Sequence, residues 1–110
     1  MRGDDERLDD IAQAAATAVR FAGGRTRSDL DADEMLVAAL LHQMTVIGEA
    51  ARSLTAARRQ ALPSVPWRQI IGMRTILVHS YWRVDRDEIW MTVSSDLPAL
   101  LASLPDRPKT

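Results

Sequence analysis

Apolar positions along this chain recur at three- and four-residue intervals, and no stretch alternates with the period of two that marks a half-buried strand. The first periodic segment runs from Asp4 to Ala22, with Leu8, Ile11, Ala15, Ala18, Val19 and Ala22 on one side. Asp4, Asp5 and Glu6 suit the positive end of its dipole, and Gly23-Gly24 ends it. A polar loop is expected up to about Leu30. Asp31 and Glu34 have the spacing of a capping box. They open a long helix to about Leu54, with Leu36, Val37, Leu40, Leu41, Met44, Ile47, Gly48 and Ala51 towards the core. Gly48 lies well inside this helix, where glycine costs about 1 kcal/mol relative to alanine. Close approach of another helix is the expected compensation.

Residues 55–63 read as a short connection carrying Arg58 and Arg59. Pro66, which needs no backbone N–H in a first turn, starts a third helix ending near Tyr81 and Trp82. Asp85 and Glu88 repeat the capping-box spacing ahead of a final helix. Its apolar face is Ile89, Trp90, Val93, Leu97, Leu100, Leu101 and Leu104, and Pro98 should kink or break it. The expected fold is all-α: an up-and-down bundle of four to five helices. It forms one domain over residues 1–110, with 1–3 and 105–110 frayed.

The third helix holds the position that most needs explaining. Trp67, Ile70, Ile71, Arg74, Leu77, Val78 and Tyr81 share one face, and all but Arg74 are apolar or aromatic. A permanent cation inside an apolar stripe is costly unless it is paired. His79 lies five residues on and Tyr81 two further, giving Arg-x4-His-x-Tyr.

Net charge is −1, so overall charge gives no reason to expect a polyanionic partner. Its distribution does. Residues 1–49 are net −5, residues 52–86 net +6 and residues 87–110 net −2. The positive block surrounds the motif helix, where a polyanion would dock. A solvated cluster with no partner is the plainer account of the same pattern. The 46% hydrophobic and 26% charged fractions exclude a disordered chain.

Several chemistries drop out. With no cysteine there is neither a disulfide nor a thiolate metal site, which fits a cytoplasmic protein. Asp29-x-Asp31-x-Asp33 resembles the start of a calcium loop, but Glu34 stands where that loop needs glycine and Leu40 where it needs glutamate. His42 and His79 sit on different helices, with no acid at ligand spacing near His79, so no metal is expected. His42 reads as a surface or packing residue. The apolar run at Leu36 to Leu41 is far too short to span a membrane, and the acidic start is unlike a signal peptide.

The Arg74-x4-His79-x-Tyr81 segment, with Pro66-Trp67-Arg68 and Ile71-Gly72-Met73 before it, resembles the core helix of the HepT-like toxins of the HEPN superfamily. Ile47-Gly48-Glu49-Ala50-Ala51 is similar to the second-helix signature of that family, and Asp96-Leu97-Pro98-x-Leu100-Leu101 to its C-terminal one. The resemblance covers roughly residues 36–104. It departs at Thr75, where the family commonly has asparagine. The resemblance implies the toxin of a type VII-like toxin–antitoxin system: a homodimeric, metal-independent endoribonuclease without cofactor, acting on RNA at a composite site. It further implies an MNT-type nucleotidyltransferase antitoxin that neutralises the toxin by transferring AMP to Tyr81.

The residues suit that chemistry. RNA cleavage without a metal needs a base for the 2′-hydroxyl proton, an acid for the leaving 5′-oxygen, and positive charge on the phosphorane oxygens. An imidazole can both take and give a proton, so His79 suits either proton role. Arg74 offers a planar fork that stays charged. Five residues are about 7.5 Å of rise and about 140° of rotation, so the two positions do not share a face. Either Arg74 reaches around the helix, or each site draws on two subunits. Thr75, one turn before His79, would orient the imidazole or contact phosphate, with one donor where an amide has two. The plainer alternatives are a structural ion pair for Arg74, a packing histidine at 79 and a core tyrosine at 81. Two further functional readings stand beside the ribonuclease. One is a non-catalytic HEPN subunit that binds a nucleotide and partners a nucleotidyltransferase. The other is a helical DNA-binding regulator, disfavoured because no helix-turn-helix pair is visible.

Overall fold

A computed structural model of the chain describes residues 3–80 and 83–105, and all of its regular structure is helical. Helix α1 spans Asp4–Ala22, as the periodicity predicts. The Glu6 side chain accepts from the Gly3 N–H at its start, and Gly24 at φ 74° takes the chain out of it. Instead of a continuous loop, the next segment contains a single helical turn, α2, Asp29–Ala32. Helix α3 then covers Glu34–Ser53.

The cap of α3 differs from the expected one. Asp31 lies inside the α2 turn. Asp33 is the extended residue (φ −126°, ψ 92°), and its carboxylate accepts from the Leu36 N–H at 3.0 Å. A capping residue must be non-helical, and Asp33 is the acid that meets this. Likewise the 55–63 connection holds a short helix, α4, Ala56–Gln60, capped by the Thr55 hydroxyl. Helix α5 is Trp67–Ser80. Asp85 caps α6, Arg86–Met91, through the Asp87 N–H rather than the N–H of Glu88.

Pro98 acts by widening the last helix. A π turn at Thr92–Asp96 separates α6 from α7, Leu97–Ser103, and Leu97 donates to Thr92 five residues back. Proline offers no N–H and its ring collides with the carbonyl four residues before it, so the wider turn resolves the conflict expected at this position.

Helix α3 is the centre of the bundle. Helix α1 packs along it, and α7 and the π turn close against α1. Small residues Ala14, Ala15 and Ala18 are buried on α1, and Leu40, Met44, Ile47 and Ala51 are buried on α3, against which it packs. Val93, Leu97 and Leu100 complete the core. Helix α5 packs chiefly on α3, through Trp67 and Leu77 with Ile70, Ile71 and Met73 half-buried. The Trp67 indole N–H is shared by the carbonyls of Arg59 (3.0 Å) and Leu62 (3.1 Å), tying α5 to the end of α4. Val78, expected on the buried stripe, is 46% exposed and Ile76 is 47% exposed. Among the described residues α5 packs chiefly on α3, so a narrower arc than seven positions is enough to bury its contact.

Two anchors hold the helix ends. Asp4 accepts from the Thr55 N–H (2.9 Å) and hydroxyl (2.6 Å), and Asp5 pairs with Arg58 at 2.9 Å. Arg86 donates to the Leu30 carbonyl at 3.1 Å, and Arg27 bridges Asp31 and Asp87.

Gly48 is the point where α5 meets α3. A Cβ built on it would lie 2.2 Å from Arg74 Cβ, 2.8 Å from its Cγ and 3.1 Å from its Cα. Gly48→Ala gains about 1 kcal/mol of helix propensity, but the helices must separate, and overpacking costs about 1–3 kcal/mol. Net destabilisation is expected in urea unfolding, with a larger loss for Gly48→Leu.

The Thr55 hydrogen bonds, the hydroxyl's first, hold the Asp4 carboxyl below its ordinary value of 3.8. A depressed folded-state pKa gives stability that is present above the unfolded value and lost as pH falls through the folded one. Thr55→Val should therefore flatten the fall in melting temperature below about pH 4, measured against wild type.

Candidate functional site

The arginine that interrupts the α5 stripe is seated on α3. Its stem lies against Gly48, and its guanidinium donates through Nε (2.9 Å) and Nη2 (2.7 Å) to one carboxylate oxygen of Glu49. The Arg74 side chain is 17% exposed and Glu49 is 49% exposed. The charge in the apolar stripe is thus compensated by an acid from the neighbouring helix. The plainer expectation for Arg74, a structural ion pair, describes this contact as far as it goes. A guanidinium has five N–H donors, and the Glu49 oxygen engages two of them.

His79 is placed differently. It is exposed near the end of α5, about 140° around the helix from Arg74, and its imidazole makes no hydrogen bond or ion pair among the described residues. Arg74 does not reach around to it, because its head is held on the opposite flank by Glu49. Thr75 is exposed and donates to the Ile71 carbonyl at 3.3 Å, one turn back along the helix, and makes no contact with His79. Tyr81, the remaining motif residue, lies outside the described residues.

Arg68, Gly72, Thr75 and His79 follow one another at helical spacing on the uncovered face of α5, and all four are exposed. A Cβ added to Gly72 would meet nothing within 4 Å. Ile76 and Val78 flank this polar stripe, so the open face is polar along its middle with apolar margins.

The basic block divides by use. Arg58 is paired with Asp5, and Arg59 donates to the Ala51 (3.3 Å) and Leu54 (2.7 Å) carbonyls at the end of α3. Arg74 is held by Glu49, and Arg86 by the Leu30 carbonyl. Arg52, Arg68 and Arg83 are exposed and carry no such contact among the described residues. The positive field around α5 therefore rests on fewer uncommitted cations than the sequence suggests, and of these Arg68 shares the face of His79.

Two of the clefts among the described residues border α5. One, of about 440 Å³, lies between α3, the end of α5 and α6, with Glu34, His42, Thr45, Leu77 and Arg86 in its walls. The other, of about 230 Å³, separates α5 from the π turn and α7 and is largely apolar. Neither is lined by Arg74 or His79. No group of three or more potential metal ligands occurs among the described residues, and no helix there is long and apolar enough to cross a membrane.

Glu49 was not among the residues singled out by sequence reasoning as chemically active. Its signal was the Gly-Glu pair in the middle of α3 and the unpaired cation on another helix, but which acid meets Arg74 is decided by the helix crossing.

The arrangement is that of a small all-α domain carrying the arginine and histidine of its Arg-x4-His-x-Tyr motif on a helix exposed along one face. The profile of the family described as ribonuclease HepT-like matches residues 11–105, and the chain belongs to that family. Among curated proteins it is 31% identical over 99 residues to the protein named "Probable ribonuclease HepT" of Thermococcus cleftensis, covering 90% of each chain. It is 30% identical over 93 residues to a protein of Methanocaldococcus jannaschii named "Putative RNase MJ1380", covering 84% of this chain and 85% of the relative. No solved structure matches.

Proposed function

We propose that this protein is the toxin of a toxin–antitoxin pair: a metal-independent endoribonuclease whose site forms between two copies of the chain. Family membership supports the ribonuclease class. The observation that carries the composite site is the separation of the motif. Arg74 is held against α3 on one flank of α5 while His79 stands on another without a hydrogen bond or ion pair among the described residues, and neither lines the two clefts described above. A two-fold partner laid on the uncovered face of α5 would bury Ile76 and Val78 and bring a second Arg74 and a second His79 to the same region.

In that site one imidazole takes the 2′-hydroxyl proton as the 2′-oxygen attacks phosphorus. The P–O5′ bond breaks, and the second imidazole gives a proton to the 5′-oxygen. The products are a 2′,3′-cyclic phosphate and a 5′-hydroxyl. The Arg74 guanidinium stabilises the charge on the non-bridging oxygens. Thr75 and Arg68, both exposed on the open face, contact flanking phosphates in this reading.

Regulation is assigned to Tyr81, two residues beyond His79. An MNT-type nucleotidyltransferase antitoxin transfers AMP from ATP to its phenol, with pyrophosphate leaving. The phosphodiester adds negative charge and bulk beside the groups that receive RNA, so repulsion and blocking both oppose substrate.

Arg74→Ala and His79→Ala should each lower cleavage of single-stranded RNA at least ~100-fold, the range for loss of one oxyanion or proton-transfer group. Wild-type activity should survive EDTA, and sedimentation should give a dimer at micromolar concentration. Cleavage lost on chelation, or a monomer that remains fully active, would refute this reading.

Intact mass spectrometry after co-expression with a nucleotidyltransferase encoded beside this protein should find AMP on Tyr81, and Tyr81→Phe should escape neutralisation. Neutralised protein with an unmodified Tyr81 would point instead to occlusion of the cleft.

A further inference from the structure

We infer that Glu49 is the positioning residue of Arg74, fixing the edge that the guanidinium presents to an RNA phosphate; the inference rests on the composite-site reading above. The geometry is specific. A guanidinium has a side edge, formed by Nε–H and one Nη2–H, and an end edge, formed by the facing hydrogens of Nη1 and Nη2. Glu49 takes both hydrogens of the side edge on a single oxygen, at 2.9 Å from Nε and 2.7 Å from Nη2. No other described residue accepts from Arg74, so the end edge keeps its donors. That edge is the fork that matches two oxygens of a phosphate.

The stem is fixed as well. Gly48 lies under Arg74, where no Cβ can be accommodated, so α3 meets the side chain at its root and at its head through adjacent residues. Such a side chain has little freedom left to lose when substrate binds, and the donors are arranged in advance of the charge that develops in the transition state. A structural ion pair needs only charge balance. It does not need the carboxylate to occupy one edge and leave the other open.

The two roles predict different behaviour. Glutamine at position 49 keeps an oxygen that can accept from the side edge but removes the negative charge; alanine removes both. If Glu49 positions Arg74, Glu49→Ala lowers kcat about 10- to 100-fold with KM within about threefold, the size expected for a misplaced catalytic group. Glu49→Gln recovers kcat to within about fivefold of wild type. Assays are run well below the melting temperature of each variant, so that loss of fold does not enter. Unchanged kcat in Glu49→Ala overturns the inference, as does a rise in activity, which would make Glu49 an inhibitory counter-ion. Equal loss in Gln and Ala would also overturn it, because charge alone would then matter.

A second measurement is independent of turnover. The Nε–H resonance of Arg74 in ¹⁵N-labelled protein, assigned by its absence in Arg74→Lys, should be protected from solvent exchange in wild type and Glu49→Gln and lost in Glu49→Ala. Adding a 2′-O-methyl RNA oligonucleotide, which binds without being cleaved, should leave that resonance protected while shifting the Nη signals. Displacement of Glu49 by the oligonucleotide, seen as loss of Nε–H protection, overturns the proposal. If wild-type protein cleaves no RNA but shows these signals, the ribonuclease reading fails while the positioning of Arg74 for a phosphate stands.

Discussion

The contact of Arg74 with Gly48 and Glu49 constrains the rest of the molecule. A long cationic side chain can occupy an apolar stripe only if its stem finds apolar surface and its head finds an acid. Helix α3 supplies both from adjacent residues. Glycine at 48 brings the two backbones close, and that closeness delivers the Glu49 carboxylate to the guanidinium. The helix-propensity cost of a mid-helix glycine is thereby exchanged for a contact that no larger residue permits.

This crossing also decides what α5 leaves open. Since α3 is its principal support, the arc of α5 needed for packing is narrow and is filled by Trp67 and Leu77 with half-buried neighbours. The opposite arc, from Arg68 through Gly72 and Thr75 to His79, remains uncovered. The arginine and the histidine of the motif are therefore divided between a packed flank and an open face. A division of this kind makes sense of a site completed by a second copy.

Elsewhere the structure spends its arginines on architecture. Arg59 serves the carbonyls at the end of α3, Arg58 fastens α4 to the start of α1, and Arg86 fastens α6 to α2. A run of positive charge in sequence is thus not the same thing as a positive surface. Short-range electrostatics at helix ends absorbs a good part of it, and what remains for a polyanion is concentrated on fewer positions.

The sequence by itself determined what depends on local period and on residue type. The 3.6-residue recurrence of apolar positions marked α1, α3, α5 and the final helical stretch, and α1 matches its predicted bounds residue for residue. Glycine at 48 announced a close helix approach, and proline at 98 a disturbance of the last helix. The family, too, was legible from three separated signatures, because each joins a packing requirement to a chemical group at fixed spacing. Tertiary structure alone decided the rest. Whether Asp31 or Asp33 caps α3 depended on where the chain turns out of α2, since both acids satisfy the composition rule and only one is non-helical. Val78 was misplaced on the buried stripe because periodicity gives the direction of a face but not its width, which is set by how many helices cover it. The partner of Arg74 was likewise beyond reach, since a salt bridge between residues 25 positions apart is fixed by the crossing of two helices and not by any spacing along one.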